Sequence, residues 1–193
     1  MAAISSAIIA GVSLLGTTIE QISSNVDTNR NVAIQISNFS TKYILKNPRV
    51  FTSSGYSHSP PQPTVRKGTM ESCSFTKNPE KAYGCVGVLT YDVCANNKSD
   101  AVCRLAIMFS VPYNYNRYEN WFALGIFDAN RGCDGSLFNL MYYESGPFIR
   151  DNCSGNEQKY SNTNFIVKGT MSPRAKAILK MELWDNDMLH PKT

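Results

Sequence analysis

The sequence predicts a mainly β fold, an antiparallel β-sandwich flanked by an N-terminal amphipathic helix and one short helix. Three observations carry that expectation. Runs rich in β-branched and aromatic residues recur at short spacing, polar Pro, Asn and Gly segments separate them, and only two stretches have the period of a helix.

The first helical stretch opens the chain. Its large apolar residues fall at Ile4, Ile8, Val12, Leu15, Ile19, Ile22 and Val26, in steps of three or four, which places one apolar stripe on a helix over 4–26. Gly11, Gly16 and several hydroxyl residues interrupt the run, so it falls short of the ~20 consecutive apolar positions of a membrane span. No Lys or Arg precedes Arg30, which argues against a secretory signal peptide. Glu20 and Asp27 are the only charges before Arg30.

Beyond Asp27-Thr28-Asn29-Arg30 the period changes to two. Val32, Ile34 and Ile36 alternate with Ala33, Gln35 and Ser37, the pattern of a half-buried strand. Further strand-like runs are 43–45, 49–52, 65–75, 83–93, 105–111, 121–127, 164–169 and 178–184. Turn signals lie between them at Lys46-Asn47-Pro48, Ser59-Pro60-Pro61-Gln62-Pro63, Lys77-Asn78-Pro79 and Gly155-Asn156. The second helix is expected over 136–143, where Leu137, Leu140 and Met141 share a face. The organisation expected is one globular domain: an amphipathic segment and hinge over 1–30, a sandwich over 31–185, and a tail over 186–193.

Composition narrows the function. The chain has 193 residues, 42% hydrophobic and 18% charged, with a formal net charge of +4 spread over both signs. That is a globular composition without the basic stripe of a nucleic-acid binder. Six cysteines occur without a C-x-x-C pair, so zinc-ribbon and thioredoxin chemistry are not expected. Their even number allows disulfides or reduced thiols alike, and Cys94 with Cys103, bracketing a polar segment, is the pairing to test. N-x-S sequons stand at Asn38, Asn97 and Asn152.

Catalysis has little to draw on. The two histidines are His58, in a Ser/Pro-rich turn, and His190, near the C-terminus. Neither suits a nucleophile-base pair. No phosphate-binding glycine loop or metal-ligand spacing is present, and Asp185 and Asp187 read as a solvated turn. The chain is not expected to be an enzyme or to carry a cofactor or metal.

The informative stretch is Phe109-Ser110-Val111-Pro112-Tyr113-Asn114-Tyr115-Asn116-Arg117-Tyr118-Glu119-Asn120-Trp121-Phe122, with Met141-Tyr142-Tyr143 downstream. Proline ends a strand, and aromatics then crowd a loop among Asn and Glu. Such a cluster suits a membrane interface, where rings with polar tips settle at headgroup level. It also suits a quaternary ammonium, which ring faces attract by about 0.5–2 kcal/mol.

This run resembles the membrane-binding loop of the actinoporins, the pore-forming cytolysins of sea anemones. Tyr142-Tyr143 with Gly146-Pro147-Phe148 resembles their second lipid-binding segment, and Ser53-Ser54-Gly55 and Gly84-Cys85-Val86-Gly87-Val88-Leu89 stand in the family's order. The cysteines and Pro60-Pro61-Gln62-Pro63-Thr64-Val65-Arg66 look more like the actinoporin-like proteins of bony fishes.

The resemblance implies a phosphocholine site at Ser54, Val86, Ser110, Pro112, Tyr118, Phe138, Tyr142 and Tyr143. It implies a membrane interface at Tyr113, Tyr115, Arg117, Trp121 and Phe122, and a pore-forming segment carrying Ile4, Ile8, Val12, Leu15, Ile19, Glu20, Ile22, Val26 and Asp27. Phe138 replaces a family tyrosine and Arg117 a family tryptophan, the latter exchange favouring phosphate or anionic headgroups. The family's Arg-Gly-Asp is absent, since the chain reads Phe148-Ile149-Arg150-Asp151. The implied partners are sphingomyelin or phosphatidylcholine, with anionic lipids as a further class. The implied states are a monomer in solution, secreted or cytosolic, and a cation-favouring homo-oligomer in a target membrane. The alternative reading, from the family's likeness to fungal lectins, is a non-lytic glycan- or headgroup-binding module.

Overall fold

The computed structural model describes residues 9–10, 18–95, 98 and 100–189. Ile9–Ala10 (β1) is a strand, paired in parallel with Thr69 and Met70. The helix expected over 4–26 is therefore not continuous, and α1 spans Ile19–Asn25. Thr18 sets its start by a capping box: its side chain accepts from Gln21 N, and the Gln21 side chain accepts from Thr18 N. That box satisfies two N-terminal N–H groups and stops the helix there. Ile4, Ile8, Val12 and Leu15 lie outside the described residues.

Thirteen strands are described. After β1 come β2 (Asn31–Asn38), β3 (Tyr43–Ser54), β4 (Tyr56–Ser59), β5 (Thr64–Val65), β6 (Thr69–Thr76), β7 (Cys85–Ala95) and β8 (Ala101–Val111). The rest are β9 (Trp121–Phe127), β10 (Phe148–Asp151), β11 (Gln158–Ser161), β12 (Phe165–Met171) and β13 (Lys176–Asp185). Helix α2 is Gly135–Tyr143 and α3 is Asn186–Leu189. One sheet runs β1-β6-β2-β13-β12-β11 with β4 also on β6, and the other runs β10-β9-β8-β7-β3-β5. Pairing is antiparallel except at β1–β6 and β2–β13.

Between the sheets inward-facing side chains form the main core, including Ile34, Phe75, Leu105, Phe109, Phe122 and Leu179. The helices cover the outer faces. α1 lies on β2, β13 and β6 and buries Ile19, Ser23 and Val26, which is why Ala33 on the outer side of β2 is buried too. α2 packs Leu137, Phe138 and Met141 on Val88, Ala106, Met108 and Ala123 of the other sheet. No helix among the described residues is long and apolar enough to cross a membrane.

Several local expectations change. Lys46-Asn47-Pro48 is a bulge inside β3, with Asn47 at φ 50°, and not a turn. The expected strand over 65–75 is broken at Gly68, φ 67°. Asp185 is buried, accepting from Ser40 Oγ and from Thr41 N and Oγ1, so it is a structural anchor and not part of a solvated turn. All six cysteines are thiols. Cys94 opposes Ala101 and Cys103 opposes Val93, so the bridge singled out in the sequence does not form. Asn38 of the first sequon is buried and hydrogen-bonded to Tyr43 O and Val65 O, closed to a glycan.

Candidate functional site

One row of cross-strand neighbours underlies the site. Ser54 of β3 pairs with Val86 of β7, Val86 with Ser110 of β8, and Ser110 with Trp121 of β9. Because side chains alternate along a strand, all four lie on the outer face that α2 also covers. Gly55 follows at φ +88°, where an added Cβ would lie 2.3 Å from Thr76 O, so the turn out of β3 requires glycine.

The loop between β8 and β9 is shaped by asparagines. Asn114 accepts at Oδ1 from Asn116 N and at its carbonyl from Arg117 N and Tyr118 N, which curls the segment into a turn. Asn120 is buried; it accepts from the Tyr115 hydroxyl at 2.7 Å and donates to Ser172 O and Arg174 O. Burial pushes the Tyr115 phenol above its ordinary pKa despite the nearby Arg30 charge. Asn152 donates to Glu119 Oε1 at 3.0 Å.

On the opposite wall, Asp134 caps α2 by accepting from Leu137 N, and the helix presents Tyr142 and Tyr143 at its last turn. Their rings meet edge-on at 4.7 Å between centroids, with Phe138 5.5 Å behind Tyr142. Between the loop and this helix end lies an open cavity of about 330 Å³ lined by Tyr115, Arg117, Tyr118, Glu119, Trp121 and Tyr142.

The structure thus gathers Tyr115, Arg117, Tyr118, Trp121 and Tyr142 around one space, with Val86 and Ser110 in the row beside it and Tyr143 exposed at its edge. Other expected residues stand apart. Ser54 donates to Gly84 O at 2.7 Å and lines a neighbouring cleft of about 500 Å³ with Lys81 and Tyr83, so its proton is not available to a phosphate in the first cavity. Pro112 is buried and its carbonyl is taken by Arg30 Nε. Tyr113 lies under Arg30. Phe138 is buried and supports Tyr142 from behind.

Phe122 is a correction. It is 1% exposed in the inter-sheet core, because Trp121 faces outward and the next residue in a strand must face inward. It is not at a membrane interface.

Three residues were not among those expected at the site. Glu119 puts a carboxylate on the cavity rim, Asn120 anchors the loop, and Arg30 holds it from the other side. Glu119 could have been read from the sequence as the lone acid among the tyrosines. The other two act across 52 to 83 residues of chain, which no local pattern reports.

Comparison with known proteins places the chain in a family. The deep sea actinoporin Cjtox II of Cribrinopsis japonica is 31% identical over 184 residues, covering 94% of this chain and 79% of that protein. DELTA-stichotoxin-Hcr4a of Radianthus crispa is 29% identical over 183 residues, 94% of this chain and 99% of its own. The solved structure of the lipid binding protein Nakanori shares the fold at 12% identity and a TM-score of 0.66, over 86% of this chain and 76% of that one. A cytotoxin lineage accords with a chain that is not an enzyme. Residues 3–184 match the model of the sea anemone cytotoxic proteins, and the chain belongs to that family, the actinoporins.

Proposed function

We propose that this protein is a pore-forming cytolysin that recognises choline-type lipid headgroups at the cavity between the aromatic loop and α2. The observation that carries this reading is the pairing of Arg117 and Glu119 on one rim with the rings of Tyr118 and Tyr142. A phosphocholine group is a zwitterion. Its phosphate suits a guanidinium, and its quaternary ammonium suits ring faces and a carboxylate. The exposed rings of Tyr118 and Tyr143 would rest at headgroup level.

After binding, protomers that are monomeric in solution assemble on the membrane, and the N-terminal segment inserts. Residues 4–26 as one helix would span roughly 34 Å at 1.5 Å per residue, enough for a hydrocarbon core of about 30 Å. Insertion therefore requires β1 to leave β6 and the helix to grow back past Thr18. The apolar stripe would face lipid and the polar face a lumen whose charges, Glu20 and Asp27, favour cations. Sphingomyelin, phosphatidylcholine and anionic vesicles loaded with dye test the reading. Binding and release that require choline lipids are expected. Equal release from vesicles of all three kinds would remove choline recognition from the reading, and glycan binding that survives removal of residues 1–30 with no release at all would replace it with the lectin-like alternative.

A further inference from the structure

The strand ends opposite the aromatic loop carry a second, larger cavity. β9 begins at Trp121, on the headgroup cavity, and reaches Ile126 and Phe127 on a cavity of about 870 Å³. Five residues of strand at about 3.3 Å each separate the two by roughly 17 Å, so neither ligand would touch the other's site.

The floor of this second cavity is apolar, made by the buried side chains of Ile126, Phe127 and Phe165. The half-buried rings of Tyr43 and Tyr160 stand beside it, fixed by packing on the main core. Asp128, Asn130 and Asn164 form an exposed polar rim, and none of these three side chains has a hydrogen-bond partner among the described residues. Asn162 is oriented, because its Oδ1 accepts from Asn164 N and Phe165 N, and this leaves its amide N–H donors unspent.

Arg131 also lines the cavity wall, its Nη2 held by donation to Ser136 Oγ at 2.9 Å.

These groups discriminate between ligand classes. A purely apolar molecule would leave the amides and the guanidinium unmatched. A phosphate or sulfate would meet a single arginine beside the carboxylate of Asp128. A sugar ring satisfies both halves: its C–H face lies on a tyrosine ring, and its hydroxyls both donate and accept, matching amide, carboxylate and guanidinium together. We propose that this cavity binds a neutral saccharide. With the aromatic loop on a bilayer, the cavity would face the glycan layer above it. The two sites would then engage one cell surface together, and each contact would raise the effective concentration for the other.

The inference does not rest on the headgroup reading and is tested separately. The full chain is applied to immobilised neutral glycans ending in galactose, N-acetylgalactosamine, N-acetylglucosamine or mannose, with sialylated and sulfated glycans alongside. The strongest neutral glycan is then titrated by calorimetry. Binding to at least one neutral class is expected, with a tenfold or greater loss in the double variant Asn130→Ala, Asn164→Ala. Both side chains are exposed, so an unchanged melting temperature and near-UV spectrum should accompany that loss. Tyr160→Phe, which keeps the ring and removes the hydroxyl, should retain stacking and lose affinity by a smaller factor. No neutral glycan bound, binding confined to sialylated or sulfated glycans, or an affinity untouched by the double substitution overturns the proposal.

Discussion

Arg30 clasps Tyr113: its guanidinium carbon lies 5.4 Å from the ring centroid, and its Nη2 donates to the Tyr113 carbonyl at 2.6 Å. The same side chain donates from Nε to Pro112 O and sits 5.0 Å from the Tyr115 ring. Arg30 ends the segment that follows α1, and Tyr113 begins the aromatic loop. One side chain therefore ties the segment proposed to move to the loop proposed to meet the headgroup. Thr28 and Thr76, bonded hydroxyl to hydroxyl, hold the same corner.

Arg30→Ala should loosen both ends of that tie. Amide hydrogen exchange in solution is expected to accelerate together in residues 27–31 and 112–118, while the centres of β2 and β8 stay protected. Acceleration in one segment alone would mean that the two are not coupled through Arg30.

Tyr118→Ala and Tyr143→Ala should weaken binding to choline-lipid vesicles by roughly 1–2 kcal/mol each, the value of a ring–cation contact with its packing. Both rings are largely exposed, 62% and 71%, so melting temperatures should barely move. Vesicle sedimentation with either variant binding like the parent would displace the headgroup from this cavity.

The N-terminal helix shows what a stripe can and cannot say. Apolar residues at three- and four-residue steps locate α1 and its buried Ile19 and Val26, but they continue through Ile9–Ala10, which is strand. Periodicity reports which face could be buried; the capping box at Thr18 and the open edge of β6 decide where the helix starts. The strands from β7 to β9 were legible because their inward rows alternate cleanly. β10 and β11 were not, since Phe148–Asp151 and Gln158–Ser161 are half-buried edge pairings with no full apolar row. At the site, residue type was readable and commitment was not: Ser54 and Pro112 are the right chemistry with their polar atoms already used.

The neighbours Arg117, Trp121 and Phe122 should separate membrane contact from core. Phe122→Ala should destabilise the fold by about 3–5 kcal/mol through cavity formation, seen in urea unfolding, without altering lipid preference. Arg117→Ala should leave stability unchanged, weaken anionic-lipid binding by about 1 kcal/mol for one lost interfacial cation, and weaken sphingomyelin binding too, because the guanidinium facing the headgroup phosphate is gone. Flotation unaltered with both lipids would remove Arg117 from the interface.

Acid should unlock the Asp92 network. Burial works to raise the Asp92 pKa, but hydrogen bonds from Arg49, Asn47 and Arg104 outweigh it and hold the carboxyl below its ordinary value of 3.8. A group depressed in the folded state contributes stability above its unfolded pKa, and that contribution fades as pH falls through the lower folded value. Thermal stability is therefore expected to drop below about pH 4. Asp92→Asn should be less stable at neutral pH, by about 3–5 kcal/mol because Arg104 is left buried without its anion, and its stability should vary less across the acid range. A variant with the parent's acid slope would place the titration elsewhere.

Release of α1 sets the last prediction. The helix is held by the burial of Ile19 and Val26, by Ser23 Oγ on Asn31 Oδ1 at 3.2 Å, by Lys176 Nζ on the carbonyls of Ser24 and Val26, and by Glu20 with Lys180 at 3.1 Å. The exposed ion pair contributes at most about 1 kcal/mol. The two buried side chains contribute about 1.5–3 kcal/mol each, which burial of the same residues in a membrane interface would return. Undocking is then nearly balanced, and a covalent pin should tip it. Ser23→Cys with Asn31→Cys places two thiols where side chains already touch. The two positions meet at 3.2 Å, and that proximity favours their pairing with each other. The oxidised variant should bind choline-lipid vesicles as the parent does and release no dye until reduced. Glu20→Lys should shift pore conductance toward anions, because a charge of the proposed lumen changes sign. Dye release that persists undiminished in a chain lacking residues 1–26, compared at equal bound protein, would take this segment out of the mechanism.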